Sequence, residues 1–109
     1  MIDLLRFRLR YGRQTIAFPD GPAKFPERYR GRPVLDPTRC ADGCAACAEV
    51  CPTEAIFDPG KATMRLDLGR CVFCNDCVPA CPPGAIRFTN DHRLAARTKD
   101  GLVVSGDAP

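Results

Sequence analysis

This sequence predicts an α+β fold: two copies of one small unit related by a pseudo-two-fold, with short hairpins and one-turn helices, an extended N-terminal arm and a C-terminal tail. Two observations carry that prediction. Cys44, Cys47, Cys51, Pro52, Ala55 and Ile56 recur as Cys74, Cys77, Cys81, Pro82, Ala85 and Ile86, each 30 positions on, and the register slips by one residue at Cys40 versus Cys71. A unit of that length present twice is one supersecondary element duplicated. Each copy also reads as a cysteine-bearing loop, a short helical turn, Cys-Pro and a strand. Changes of composition divide the chain into residues 1–39, a basic and proline-rich segment; 40–90, the repeat; and 91–109, a tail.

Residues 1–16 carry two competing signals. Leu5 to Tyr11 alternates strictly between apolar residues and arginine, which favours a strand. As a helix, the same stretch has one apolar stripe of Ile2, Leu5 and Leu9 and a second of Leu4, Phe7 and Tyr11, and would have to be sandwiched between partners. Residues 17–39 hold Pro19, Pro22, Pro26, Pro33 and Pro37 with Gly21 and Gly31, the composition of an extended, irregular arm.

In the repeat, Glu49–Cys51 and Asp76–Ala80 are long enough for about one helical turn each. Ala55-Ile56-Phe57 reads as a strand, Asp58-Pro59-Gly60-Lys61 as a turn, and Thr63 to Asp67 as the return strand. Ala85 to Phe88 is the matching strand of the second copy. Beyond Leu94 the only apolar content of note is Leu102-Val103-Val104, so the tail is expected to fray unless a partner covers it.

All eight cysteines fall in the two runs, Cys40-x3-Cys44-x2-Cys47-x3-Cys51-Pro52 and Cys71-x2-Cys74-x2-Cys77-x3-Cys81-Pro82. This is the ligand pattern for two cubane [4Fe–4S] clusters, in which the fourth cysteine of each run serves the other run's cluster. Three closely spaced thiolates wrap one cube, and the fourth approaches from the far side. Cluster I is thus expected on Cys40, Cys44, Cys47 and Cys81, and cluster II on Cys71, Cys74, Cys77 and Cys51. Pro52 and Pro82 fix φ and turn the chain away from each cluster. Val50, Ile56, Val72, Phe73, Val78 and Ile86 are the candidate dry shell. The extra residue within Cys40-Ala-Asp-Gly-Cys44 falls on good turn chemistry, so the loop can bulge without losing a ligand.

Two other readings compete. A secreted disulfide scaffold would spread its cysteines, and Arg6, Arg8, Arg10 and Arg13 interrupt any signal-peptide stretch. A zinc-stapled interaction module would set its Cys-x2-Cys pairs well apart. Thiolate ligation of iron points to a reducing compartment.

Charge is uneven. Residues 1–39 hold nine Lys/Arg against four acids, a net of +5, whereas residues 40–88 hold four against six, a net of −2. A basic leader interleaved with apolar residues reads as a docking arm. No apolar run approaches the ~20 residues that span a bilayer. No nucleophile–base pair, phosphate loop or flavin fingerprint is present, so nothing reads as catalysis and the cysteine runs lead to the expectation of a non-catalytic electron carrier. His92, the only histidine, reads as a solvated surface residue. The few aromatics are not interleaved with a basic patch, which argues against nucleic acid.

The two runs resemble bacterial two-cluster ferredoxins. Pro26-Glu-Arg-Tyr-Arg-Gly-Arg-Pro33 is similar to the Arg-Gly-x-Pro segment ahead of the clusters in the two-cluster iron–sulfur subunit of complex I. Leu66-Asp-Leu-Gly-Arg-Cys-Val-Phe-Cys74, Ala85-Ile-Arg-Phe-Thr89 with Leu94-Ala95, and Gly12-Arg-Gln-Thr resemble the formate hydrogenlyase and hydrogenase-4 version of that subunit. This resemblance implies a peripheral subunit on the cytoplasmic side of the cytoplasmic membrane. It would work in a hetero-oligomer with cluster-bearing and membrane-arm subunits of a [NiFe]-hydrogenase or complex I-like oxidoreductase, its N-terminal segment a helix lying against the membrane arm. A free, diffusible ferredoxin is the rival; such carriers are strongly acidic, whereas this chain has a net charge of +3.

Overall fold

The computed structural model describes residues 2–60 and 63–106; Lys61, the last residue of the turn expected at 58–61, lies outside them. Helix and strand are mixed, as expected. Helix α1 spans Ile2–Tyr11 and helix α2 spans Ala46–Glu49. The strands are β1 (Pro33–Leu35), β2 (Ile56–Phe57), β3 (Arg65–Asp67), β4 (Ile86–Phe88) and β5 (Val103–Ser105). They form two antiparallel sheets, β1-β4 and β2-β3-β5.

The N-terminal segment is a helix, not the strand that its alternation favours. A lone strand would leave its backbone groups unpaired, whereas a helix satisfies them internally. Leucine and arginine are good helix formers, Asp3 in the first turn and Arg8 and Arg10 in the last oppose the helix dipole, and the Gly12 N–H closes the end on the Arg8 carbonyl at 2.9 Å. None of its side chains is buried. With the arm, α1 contributes to a molecule measuring 63 × 29 × 27 Å.

Two stretches expected to be irregular are strands. β1 lies in the proline-rich stretch and pairs with β4 in the register Leu35↔Ile86 and Pro33↔Phe88. β5 lies in the stretch expected to fray and pairs with β3, Val104 opposite Leu66. Both are carried by apolar residues that bury deeply. The core is Leu35, Ile56, Met64, Leu66, Ile86 and Val104, with Cys47 and Cys77. Each large aliphatic side chain taken out of water contributes about 1.5–3 kcal/mol, which outweighs the weak local propensity of a three-residue strand.

The duplication runs further upstream than the cysteines reveal. Leu35-Asp36-Pro37-Thr38-Arg39-Cys40 follows β1 as Leu66-Asp67-Leu68-Gly69-Arg70-Cys71 follows β3. In each, the aspartate accepts a bond from the backbone N–H two residues on (Thr38 at 3.2 Å, Gly69 at 2.7 Å) and pairs with the arginine three residues on (3.1 and 3.9 Å). In each, the same aspartate's N–H bonds the alanine after a Cys-Pro: Asp36 to the Ala85 carbonyl at 2.7 Å and Asp67 to that of Ala55 at 2.8 Å. The spacing of this motif is 31, not 30, because the extra residue between Cys40 and Cys44 shifts the register.

The one-turn helices differ between the copies, and the first is α2 at Ala46–Glu49 rather than the expected Glu49–Cys51, since Cys51 precedes Pro52 and a residue before proline is disfavoured in helix. α2 forms where Glu49 can donate its N–H to the Ala45 carbonyl at 3.0 Å. The equivalent position in the second copy is Pro79, which has no N–H, so residues 76–80 make turns without closing a helix.

Candidate metal centre

Both cysteine loops hang from strand ends. The Asp-x-x-Arg turns deliver Cys40 from β1 and Cys71 from β3. The residue before the second cysteine is left-handed in both loops, Gly43 at φ 76° and Phe73 at φ 55°. α2 carries Cys47 inward. After each Cys-Pro the chain makes the same turn: the Glu54 N–H bonds the Cys51 carbonyl at 3.3 Å, and the Gly84 N–H bonds that of Cys81 at 2.9 Å.

The folding of these loops mixes the two runs. Cys51 of the first run lines one cavity with Cys71, Cys74 and Cys77 of the second, closed by Ala55, Ile56, Leu66 and Phe88. On the other side, charge on Cys81 of the second run acts on Cys40 and Cys47 of the first, and Cys44 acts on Cys40. Cys47, Cys77 and Cys81 are buried, Cys40, Cys51 and Cys71 half-buried, and Cys44 and Cys74 exposed; all eight thiols are free.

The electrostatics are those of sulfurs that need a cation. Burial pushes the thiols of Cys40, Cys47, Cys71 and Cys77 up, Cys77 to about 11, and the neighbouring sulfurs add to the effect. At Cys51 burial also pushes upward, yet backbone N–H groups led by that of Ala55, and the Thr53 hydroxyl, hold the thiol below its ordinary value. The Ala55 N–H lies 3.3 Å from Cys51 Sγ. Four thiolates crowded together are stable only around a strongly cationic centre. Among the described residues, no three His, Cys, Asp or Glu side chains converge closely enough for a single ion. The donor set is all sulfur, which suits an iron–sulfur cluster.

The expected dry shell is only partly dry. Ile56 and Ile86 are buried and Phe73 and Val78 half-buried, but Val50 and Val72 are 43% and 60% exposed. Leu35, Met64, Leu66 and Val104 take their place inside. His92 is exposed, as expected, and also packs edge-on against Phe18, with centroids 5.1 Å apart, and against Phe25 at 5.3 Å. It ties the arm to the segment after β4. No helix among the described residues is long and apolar enough to cross a membrane.

Known proteins are similar to this chain. The 4Fe-4S dicluster domain family matches residues 39–86. The NADH-quinone oxidoreductase subunit I of Pelobacter propionicus is 36% identical over 101 residues, which is 75% of this chain and 53% of the relative. An NADH-quinone oxidoreductase subunit I 2 of Geobacter metallireducens is 29% identical over 101 residues, 82% of this chain and 77% of the relative. A chain in the structure of the membrane-bound sulfane sulfur reductase, an archaeal respiratory membrane complex, matches with a TM-score of 0.61 and 35% identity, covering 86% of this chain and 55% of that one. The chain spans about half the length of the first curated relatives it matches. Those matches and the eight cysteines show that the chain carries a 4Fe-4S dicluster domain for two [4Fe–4S] clusters and is homologous to subunit I of the NADH-quinone oxidoreductases.

Proposed function

We propose that this chain is an electron-relay subunit of a membrane-bound oxidoreductase, with two clusters ligated across the repeat. Cluster I takes Cys40, Cys44, Cys47 and Cys81; cluster II takes Cys71, Cys74, Cys77 and Cys51. One observation carries the reading: Cys51 shares a cavity with three cysteines of the other run. When bound, the clusters supply one-electron chemistry at potentials that the surrounding hydrogen bonds and burial set. The protein's part is to hold the sulfurs, keep the inner faces dry with Leu66, Ile56 and Ile86, and leave Cys44 and Cys74 at the surface, where electrons enter and leave. The shared Leu-Asp-x-x-Arg-Cys turns and the left-handed residues at Gly43 and Phe73 support a pseudo-two-fold between the halves.

The segment 1–39 is the docking segment, 40–90 the cluster domain, and 91–109 the C-terminal tail, whose β5 covers the edge of β3. The exposed apolar and basic faces of α1 favour a peripheral subunit on the cytoplasmic side of a membrane complex over a free, diffusible ferredoxin. Within that class, Leu66 to Cys74 and Ala85 to Thr89 favour the formate hydrogenlyase and hydrogenase-4 kind, in which the relay serves a [NiFe] site.

The ligand assignment is tested by Cys51→Ala and Cys81→Ala in the anaerobically purified complex. Electron paramagnetic resonance should show cluster II lost in the first variant and cluster I in the second. Each substitution removing its own run's cluster would refute the crossing. An anaerobic pull-down from membranes in mild detergent identifies the partners. Nickel-site and antiporter-like subunits are the expected catch, and recovery of the chain alone would refute the relay assignment.

A further inference from the structure

Arg30 lies in the arm, 44 positions before Cys74 in sequence, yet its guanidinium reaches the loop of the second run. Its Nη1 donates to the Phe73 carbonyl at 2.5 Å and to the Cys74 carbonyl at 2.9 Å. The loop needs holding at that point. Phe73 and Asn75, on either side of Cys74, are both left-handed, at φ 55° and 77°. Non-glycine residues in that region cost of order 1–3 kcal/mol and persist only where surroundings fix them. In the first run the residue matching Phe73 is Gly43, which carries no such strain.

Arg30 is also held from its own side. The next residue, Gly31, donates its N–H to the Thr89 carbonyl at 2.7 Å, and Arg32 donates to that of Asp91 at 2.7 Å. Thr89 returns a backbone bond to the Arg32 carbonyl at 3.2 Å and a hydroxyl bond at 2.7 Å. A Cβ at Gly31 would collide with the carbonyl oxygens of both Asp91 and Thr89, so the close crossing requires glycine. Phe25 stacks on Tyr29 at 4.2 Å just upstream. The arginine therefore projects from a fixed strand of chain.

We propose that Arg30 is a positioning residue for cluster II: it locks the Phe73–Asn75 loop, aims Cys74, and places a permanent cation beside one cluster and not the other. This rests on the crossed ligation above. A nearby positive charge favours the reduced cluster, so Arg30 raises the potential of cluster II relative to cluster I. Exposure of the side chain to solvent screens part of that effect.

The test compares Arg30→Gln and Arg30→Lys in the intact, cluster-loaded complex, by redox titration followed by electron paramagnetic resonance and by iron release to a chelator. Arg30→Gln should move the cluster II midpoint to lower potential, leave cluster I where it was, and release iron about 10-fold faster from cluster II alone. Arg30→Lys should restore most of the potential while recovering less of the retention. Wild-type values for both clusters in both variants would overturn the proposal, and so would equal losses at the two clusters. Failure of Cys51→Ala to affect cluster II would instead overturn the underlying ligand assignment.

Discussion

Gly60 sits where the β2–β3 hairpin touches the enlarged loop of the first run. It has φ +71°, and a Cβ there would lie 2.6 Å from the Cys44 carbonyl oxygen and 2.7 Å from the Cys44 nitrogen. Its N–H also faces Cys40, where it favours the thiolate. The extra residue between Cys40 and Cys44 thus does not hang free; the loop leans on backbone across the gap. Gly60→Ala forces an alanine into the left-handed region, a cost of roughly 1–2 kcal/mol before the clash is counted. It should lower the temperature at which visible absorbance is lost by about 4–8 °C per kcal/mol, with cluster I lost ahead of cluster II. Equal loss of the two signals would count against a local contact. Individual residues were well marked in the sequence where chemistry dictates spacing: the two runs themselves single out the eight cysteines and the prolines Pro52 and Pro82 that follow them. Gly60 was legible as a turn residue and Gly31 as part of the arm, but the close approaches they permit were not, because contact between backbones distant in sequence leaves no local pattern.

At the level of elements, β5 shows how a weak segment becomes structural. Three residues of Val-Val-Ser have no stability of their own, yet they cover the free edge of β3 and bring Val104 against Leu66. Val104→Asp puts a carboxylate into a site 8% exposed and should cost about 3 kcal/mol, read as a lower unfolding midpoint of the anaerobic protein. Val104→Ile should be nearly neutral, and a similar loss in both variants would argue that volume rather than charge decides. β1 and β5 were the elements hidden from sequence reading. β1 lies among prolines and β5 in a polar tail, and each is fixed by a partner strand tens of residues away. The Leu-Asp-x-x-Arg-Cys repeat was visible in principle, but one inserted residue moves it out of the 30-residue register that the later cysteines obey. Length did not make the long helix legible: the strict alternation of Leu5–Tyr11 mimics a strand, while the same residues also satisfy a two-striped helix.

On the scale of the whole molecule, a radius of gyration of 18.5 Å is well above the ~13 Å expected of a compact chain of about 100 residues. The excess reflects α1 and the arm. Ile2, Leu4, Leu5 and Leu9 are all more than 60% exposed, a degree of apolar exposure that calls for a covering partner. Deleting residues 2–16 should leave both cluster signals intact and abolish recovery of the chain with its complex; unchanged recovery would show that docking lies elsewhere. The cluster domain and its closing strands lie outside the deleted segment, so the two readouts separate cleanly.

The exposed arginines of α1 carry a practical corollary. Arg6, Arg8 and Arg10 of α1, and Arg13 just beyond its end, lie on a stretch with no buried side chain, and each is a site for trypsin. Unassembled protein should be trimmed at these positions within the first moments of digestion, while its brown colour persists. Protein seated in its complex should resist. The same residues would then serve as a footprint of assembly, letting a timed digest of a crude membrane fraction report how much of the subunit is docked and how much is waiting.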